Sequence, residues 1–143
     1  MVFLGLFVGI YGIVYGIRPS SPSTNPGTLP VEISSDGKLK IAAAIRPSDK
    51  SAVDFEIAQI SSDGAWETEF LIAAGFSAYH DFEMSWDHDN RAWIGSGDTG
   101  DIQCWAKKDD VWVSKKLPDP TVPLPAEMCE LLVASERVRF GCQ

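Results

Sequence analysis

Six side chains able to ligate a cation fall within ten residues: His80, Asp81, Glu83, Asp87, His88 and Asp89, which include both histidines of the chain. Carboxylates with imidazoles are the donor set of zinc sites, and carboxylates alone that of calcium loops. The spacing works against either. If HDFEMSW is a strand, His80 points away from Asp81 and Glu83, because successive side chains leave opposite faces. Asp87-x-Asp89 starts like a calcium loop, yet Arg91 and Ala92 stand where a further oxygen ligand and the turn glycine are required. The pattern predicts a solvated hairpin tip and no metal, with Asp87, His88 and Asp89 the residues a cation would meet there.

Asp98-Thr99-Gly100 resembles the catalytic triplet of aspartic proteases, in which two carboxylates share one proton. Its setting, GSGDTGD, is glycine-rich and is followed by Asp101 rather than a small hydroxyl residue, which predicts a tight hairpin instead. No G-x-S-x-G elbow accompanies a histidine. The glycines at 95, 97 and 100 lie between strands, without a following helix to offer its N-terminus to a phosphate. The expectation is therefore a protein without catalytic residues and without a cofactor.

Five tryptophans, Trp66, Trp86, Trp93, Trp105 and Trp112, are the other concentrated signal. Most must serve the core. Any left on a surface would anchor a protein partner or stack on a sugar. Charge narrows the partners further. The net charge is −8, and between Asp49 and Asp101 twelve acids face only Lys50 and Arg91. Such a surface repels phosphate backbones and suits a basic protein, so nucleic acid is not expected as a partner.

These groups are carried by a strand-rich chain. LKIAAAI, AVDFEIAQI, AWETEFLIA, HDFEMSW, RAWIGSG, DIQCWAK and VWVSKKL read as seven short strands, mostly alternating apolar and polar. SSDG, DHDN, GDTG and KKDD supply turns short enough for antiparallel neighbours. The result is a mainly-β meander, closing as a curled sheet, a small barrel or a sandwich. After the proline-rich PDPTVPLP, a C-terminal helix is predicted from Pro125, with Met128, Leu131, Leu132 and Val138 on one face and Gly141 as its stop. The stretch WDHDNRAWIGSGDTGDIQCWAKKDDVW resembles the hairpins of sensor-type β-propeller repeats. A propeller needs several such blades, and the chain has no second copy, so the resemblance implies a shared hairpin form: Trp93 and Trp105 on strands, Gly97 and Gly100 turning.

Residues 1–17, MVFLGLFVGIYGIVYGI, carry no charge. As a helix they would rise roughly 25 Å, enough for a single-pass anchor in a lipid bilayer. No basic start and no small-residue cleavage site mark a removable signal peptide. Gly5, Gly9, Gly12 and Gly16 would share one helix face, where a second helix backbone can approach. Residues 18–36 read as a proline-, serine- and threonine-rich spacer, and 37–143 as an acidic β-rich domain, expected on the extracytoplasmic side. Cys129 and Cys142 can form a bridge in an oxidising compartment, leaving Cys104 buried; three free thiols fit the count equally.

Together these features predict a non-enzymatic, membrane-anchored accessory or assembly subunit. Its partner would be a membrane protein complex or a second copy of itself. Two alternatives follow from the same residues: a tethered carbohydrate- or peptide-binding module using exposed tryptophans, and an acidic inhibitor or immunity-type protein.

Overall fold

The structure, a computed structural model, describes residues 29–142. The expected anchor, its four glycines and most of the expected spacer lie outside those residues.

Eight strands form two antiparallel sheets. Sheet A contains β1 (Val31–Ile33), β2 (Leu39–Arg46), β3 (Asp49–Ile60) and β4 (Trp66–Ser77), in that order across the sheet. Sheet B contains β5 (Phe82–Trp86), β6 (Ala92–Ser96), β7 (Ile102–Lys108) and β8 (Val111–Lys115), again in chain order. Each sheet is thus a meander with open edges, and the two pack face to face. The barrel alternative is replaced by a sandwich. The extra strand is β1, which falls in the stretch read as spacer; three residues after Pro30 are too short to register as a period-two pattern.

Alternation explains the core. Ile41 and Ala43 from β2, Val53, Phe55 and Ile57 from β3, and Ile72 and Phe76 from β4 meet Phe82, Met84, Ala92, Ile94 and Trp112 of sheet B. Aromatic rings dominate the contact: Phe55 meets Phe76 and Phe82 edge-on, each at 5.5 Å between centroids, and Trp86 meets Trp112 at 6.1 Å. Edge-to-face pairs of this kind add about 1 kcal/mol each beyond simple burial.

A second core lies on the far face of sheet B, where Trp93, Ile102 and Cys104 pack under Val122, Met128 and Leu132. The covering helices are α1 (Ala126–Leu131) and α2 (Ala134–Arg139). One continuous helix was the expectation, but Leu132 and Val133 are extended, with ψ of 142° and 159°. The break turns α2 away, and Val138, expected on the buried face, is 81% exposed. Its last turn is tied back by the Cys129–Cys142 disulfide, with Cα atoms 5.8 Å apart. Of the two cysteine arrangements, the bridged one is present, and Cys104 is a buried free thiol. Burial pushes that thiol up to about 12. Gly95 sits beneath α1: a Cβ there would come within 2.5 Å of Leu131 Cδ1 and 3.0 Å of Met128 Sδ.

β4, an edge strand, departs twice from regular pairing with β3. Opposite Ile57 and Ala58, Glu69 is left out of the register; opposite Asp54, Ala73 to Gly75 are left out. Each departure carries a polar clasp. Glu69 accepts Lys107 Nζ at 2.9 Å on both oxygens and the Trp112 indole N–H at 3.0 Å, linking the two sheets. Asp54 accepts Arg46 Nε at 2.9 Å, Arg46 Nη2 at 2.8 Å and the Gly75 N–H at 2.9 Å. Gly75 has φ of +64°, and a Cβ on it would lie 3.1 Å from Arg46 Nη2, so both backbone and space call for glycine.

Candidate functional site

The hairpin between β5 and β6 brings together only part of the predicted cation set. Asp87 turns inward, its side chain 10% exposed, and its oxygens are taken by nitrogen donors. Oδ1 accepts the backbone N–H of Asp89 and of Arg91, each at 3.0 Å, while Oδ2 accepts Arg91 Nε at 2.6 Å and the Trp93 indole at 2.9 Å. Burial pushes this carboxyl upward, but the Trp93 and Arg91 donors outweigh it and hold it below its ordinary value of 3.8. Asp89 points outward, 3.1 Å from Arg91 Nη2 and 3.4 Å from His88. His80 belongs elsewhere, 3.7 Å from Asp98 in the next turn. Among the described residues no group of three or more histidines, cysteines and acids is arranged to hold a metal. Asp87 is a structural acceptor: it closes the turn and orients the Trp93 indole.

Asp98, Thr99 and Gly100 form the β6–β7 turn. Thr99 N–H and Gly100 N–H donate back to Ser96, at 3.3 Å to its hydroxyl and 2.9 Å to its carbonyl. The Thr99 hydroxyl accepts Asp101 N–H at 3.3 Å. The triplet is a hairpin tip with its carboxylate in solvent.

The tryptophans divide into core and rim. Trp93 and Trp112 are buried; Trp93 donates its N–H to the inward-turned Asp87, and Trp112 to the partly exposed Glu69, beside which it lines a shallow surface cleft. Trp86 is half-buried and donates to the Glu32 carbonyl at 3.1 Å. Trp66 is half-buried under Lys40, whose Nζ lies 5.2 Å from its ring centre. Trp105 packs on Phe70 at 5.1 Å and also lines a cleft of about 440 Å³ with Gln103, Lys115, Arg139 and Phe140. The polar groups there are largely tied to one another: the Trp105 indole donates to Gln103, Gln103 to Asp101, and Arg139 pairs with Glu136. A second cleft of about 560 Å³ gathers Asp49, Ser51, Ser77, Tyr79, Asp98 and Thr99 at the opposing ends of the two sheets. It holds hydroxyls and carboxylates, with the His80 imidazole 3.7 Å from Asp98.

The most unusual surface is the outer face of sheet A. Sheet B is covered twice, by sheet A and by α1, which packs on β5 and β6. Among the described residues, sheet A is covered once. The register places Val31, Ala42, Glu56 and Leu71 in one row across its four strands, and Ile33, Lys40, Ala58 and Thr68 in the next. Where a solvated strand face would carry charges, this one carries Ala42, Ala44 and Ala73, with Leu71 56% exposed. Its four charges, Lys40, Arg46, Asp54 and Glu56, cancel in number, and only Arg46 and Asp54 pair directly. The Arg46 bonds hold Asp54 below the usual carboxylate range, Lys40 lies over Trp66, and Glu56 accepts the Thr68 hydroxyl. In the sequence, only Ala42 and Ala44, between Lys40 and Arg46 on the same side of LKIAAAIR, hint that this face is less polar than a wet one would be. Compared with protein-family models, with curated proteins and with solved structures, the chain matches none.

Proposed function

We propose that this chain is a non-enzymatic accessory or assembly subunit, held at a membrane by residues 1–17 and binding protein through the outer face of sheet A. The observation that supports it is the uneven layering: one sheet covered on both faces, the other left with an alanine-rich face and an exposed Leu71. Apolar side chains left on two strands of one face, Ala42 and Ala44 on β2 and Leu71 and Ala73 on β4, are what an interface would use, although Asp54 and Glu56 of β3 lie between them. A Cys129–Cys142 bridge suits an oxidising compartment, in line with a domain outside the cytoplasm. No helix among the described residues is long and apolar enough to cross a membrane, so anchoring rests on residues 1–17, which lie outside them.

The test is gentle detergent extraction with affinity capture of three forms: the unaltered chain, Leu71→Glu with Ala73→Glu, and Gly9→Leu with Gly12→Leu. A stoichiometric protein companion, lost in the sheet-face variant, is the expected result. Capture of no companion, neither another protein nor a second copy, by the unaltered chain would overturn the reading. A carbohydrate- or peptide-binding role is the second reading, and it rests on Trp105 in the 440 Å³ cleft. It requires that Trp105→Ala abolish binding of an oligosaccharide or peptide probe while the fold survives.

A further inference from the structure

We infer that the partner of the outer face of sheet A is a second copy of this chain, in a two-fold contact of sheet A on sheet A; the inference rests on the assembly reading above. The layers run α1 and α2, sheet B, sheet A, and then nothing among the described residues. One end of the stack is sealed by helices and the other is open. An isologous contact at the open end completes a stack of four sheets with helices at both ends, which closes at two copies and cannot propagate as a fibre.

Charge argues for self-recognition. A chain of net charge −8 repels its own copies over most of its surface. The outer face of sheet A is the exception: Arg46 neutralises Asp54 within the face, and the remaining Lys40 and Glu56 are opposite in sign. A two-fold axis through such a face sets each copy's cation against a surface that also holds the matching anion, so the patch is complementary to itself. The side chains Ala42, Ala44 and Ala73 are short, which lets two sheet backbones approach closely, while Leu71 supplies an apolar knob.

Sedimentation equilibrium of the full chain in detergent tests this, with thermal unfolding followed in parallel. In the Gly9→Leu, Gly12→Leu background, where contact between N-terminal segments is weakened, a dimer is expected to persist. Adding Leu71→Glu and Ala73→Glu should raise its dissociation constant by about a hundredfold, because like charges are brought into an apolar contact. Both positions are exposed, so the unfolding midpoint should move little when it is measured at a concentration where both forms are monomeric. Independently, Ala42→Cys should cross-link copy to copy under mild oxidation, whereas Val111→Cys, exposed on β8, should not. A monomer in the glycine-substituted background, or a dimer indifferent to the two glutamates, would overturn the inference. If the chain is monomeric yet captures a different protein that the glutamates release, the assembly reading survives and the second copy does not.

Discussion

Asp87 and Trp93, six residues apart, are joined at 2.9 Å between carboxylate and indole, and this bond ties the β5–β6 turn to the core beneath the helices. The same carboxylate holds Arg91, so one side chain sets the turn, fixes the ring and neutralises a cation that is itself largely buried.

Replacing Asp87 with Asn should therefore cost about 3 kcal/mol, the range for breaking one partner of a buried, hydrogen-bonded pair. Urea unfolding followed by tryptophan fluorescence would measure it. A change below about 0.5 kcal/mol would mean that the turn does not depend on this carboxylate.

Acid should destabilise the domain through three carboxyls. For Asp87 and Glu69 burial raises the value but the donors prevail; for Asp54 the Arg46 bonds lead; all three end below their ordinary values of 3.8 for Asp and 4.5 for Glu. A carboxyl lowered in the folded state contributes its stability above the unfolded value and loses it as pH falls through the folded one. The unfolding midpoint should be flat from neutrality down to about pH 5 and then drop below about pH 4. Asp54→Asn with Arg46→Gln should remove part of that drop; an unchanged acid limb would exclude this pair as a contributor.

Cys104 should resist alkylation by iodoacetamide in the native protein, since it is buried and its thiol is pushed up to about 12. It should react on unfolding. Reducing the Cys129–Cys142 bridge, which spans a sequence separation of 13, should lower stability by about 3 kcal/mol on the chain-entropy account. Mass spectrometry of alkylated native and denatured protein checks the first statement, and urea unfolding with and without reductant the second.

Gly95→Val should displace α1 from sheet B, because its branched side chain meets Leu131 and Met128 where even a Cβ is too close. Overpacking of this kind costs about 1–3 kcal/mol. Faster reduction of the Cys129–Cys142 bridge would report the loosened helix. Gly75→Ala should cost about 1–2 kcal/mol through its left-handed backbone and the Arg46 guanidinium, without affecting that reduction rate.

Strands were legible in the sequence wherever alternation ran unbroken. Val53, Phe55 and Ile57 were assigned to one face and share the core; Phe82 and Met84 behave likewise. β4 was read only as far as Ala73 because its two irregularities change which residues face inward, and a register shift leaves no period to detect. The helix break at Leu132 and Val133 carries neither proline nor glycine and so gave no signal. The cation candidates illustrate a different limit. Composition placed Asp87, His88 and Asp89 together, but only geometry shows Asp87 turned inward onto Arg91 and Trp93. The open face of sheet A was invisible for a third reason. Sequence shows that Ala42 and Ala44 share a side, while only the layering shows that nothing described covers it.

The two interruptions in β4 bear on how the chain behaves in the test tube and during synthesis. Phe70 to Phe76 is an uncharged, apolar run of seven residues on what is, among the described residues, the free margin of a sheet. Such a run, if flat, is a template for cross-β growth. Glu69 at one end and the glycine kink at the other keep its ladder from offering a straight row of donors and acceptors. Loss of the Arg46–Asp54 clasp should thus do more than lower the melting temperature: the protein should gel and seed fibrils on standing.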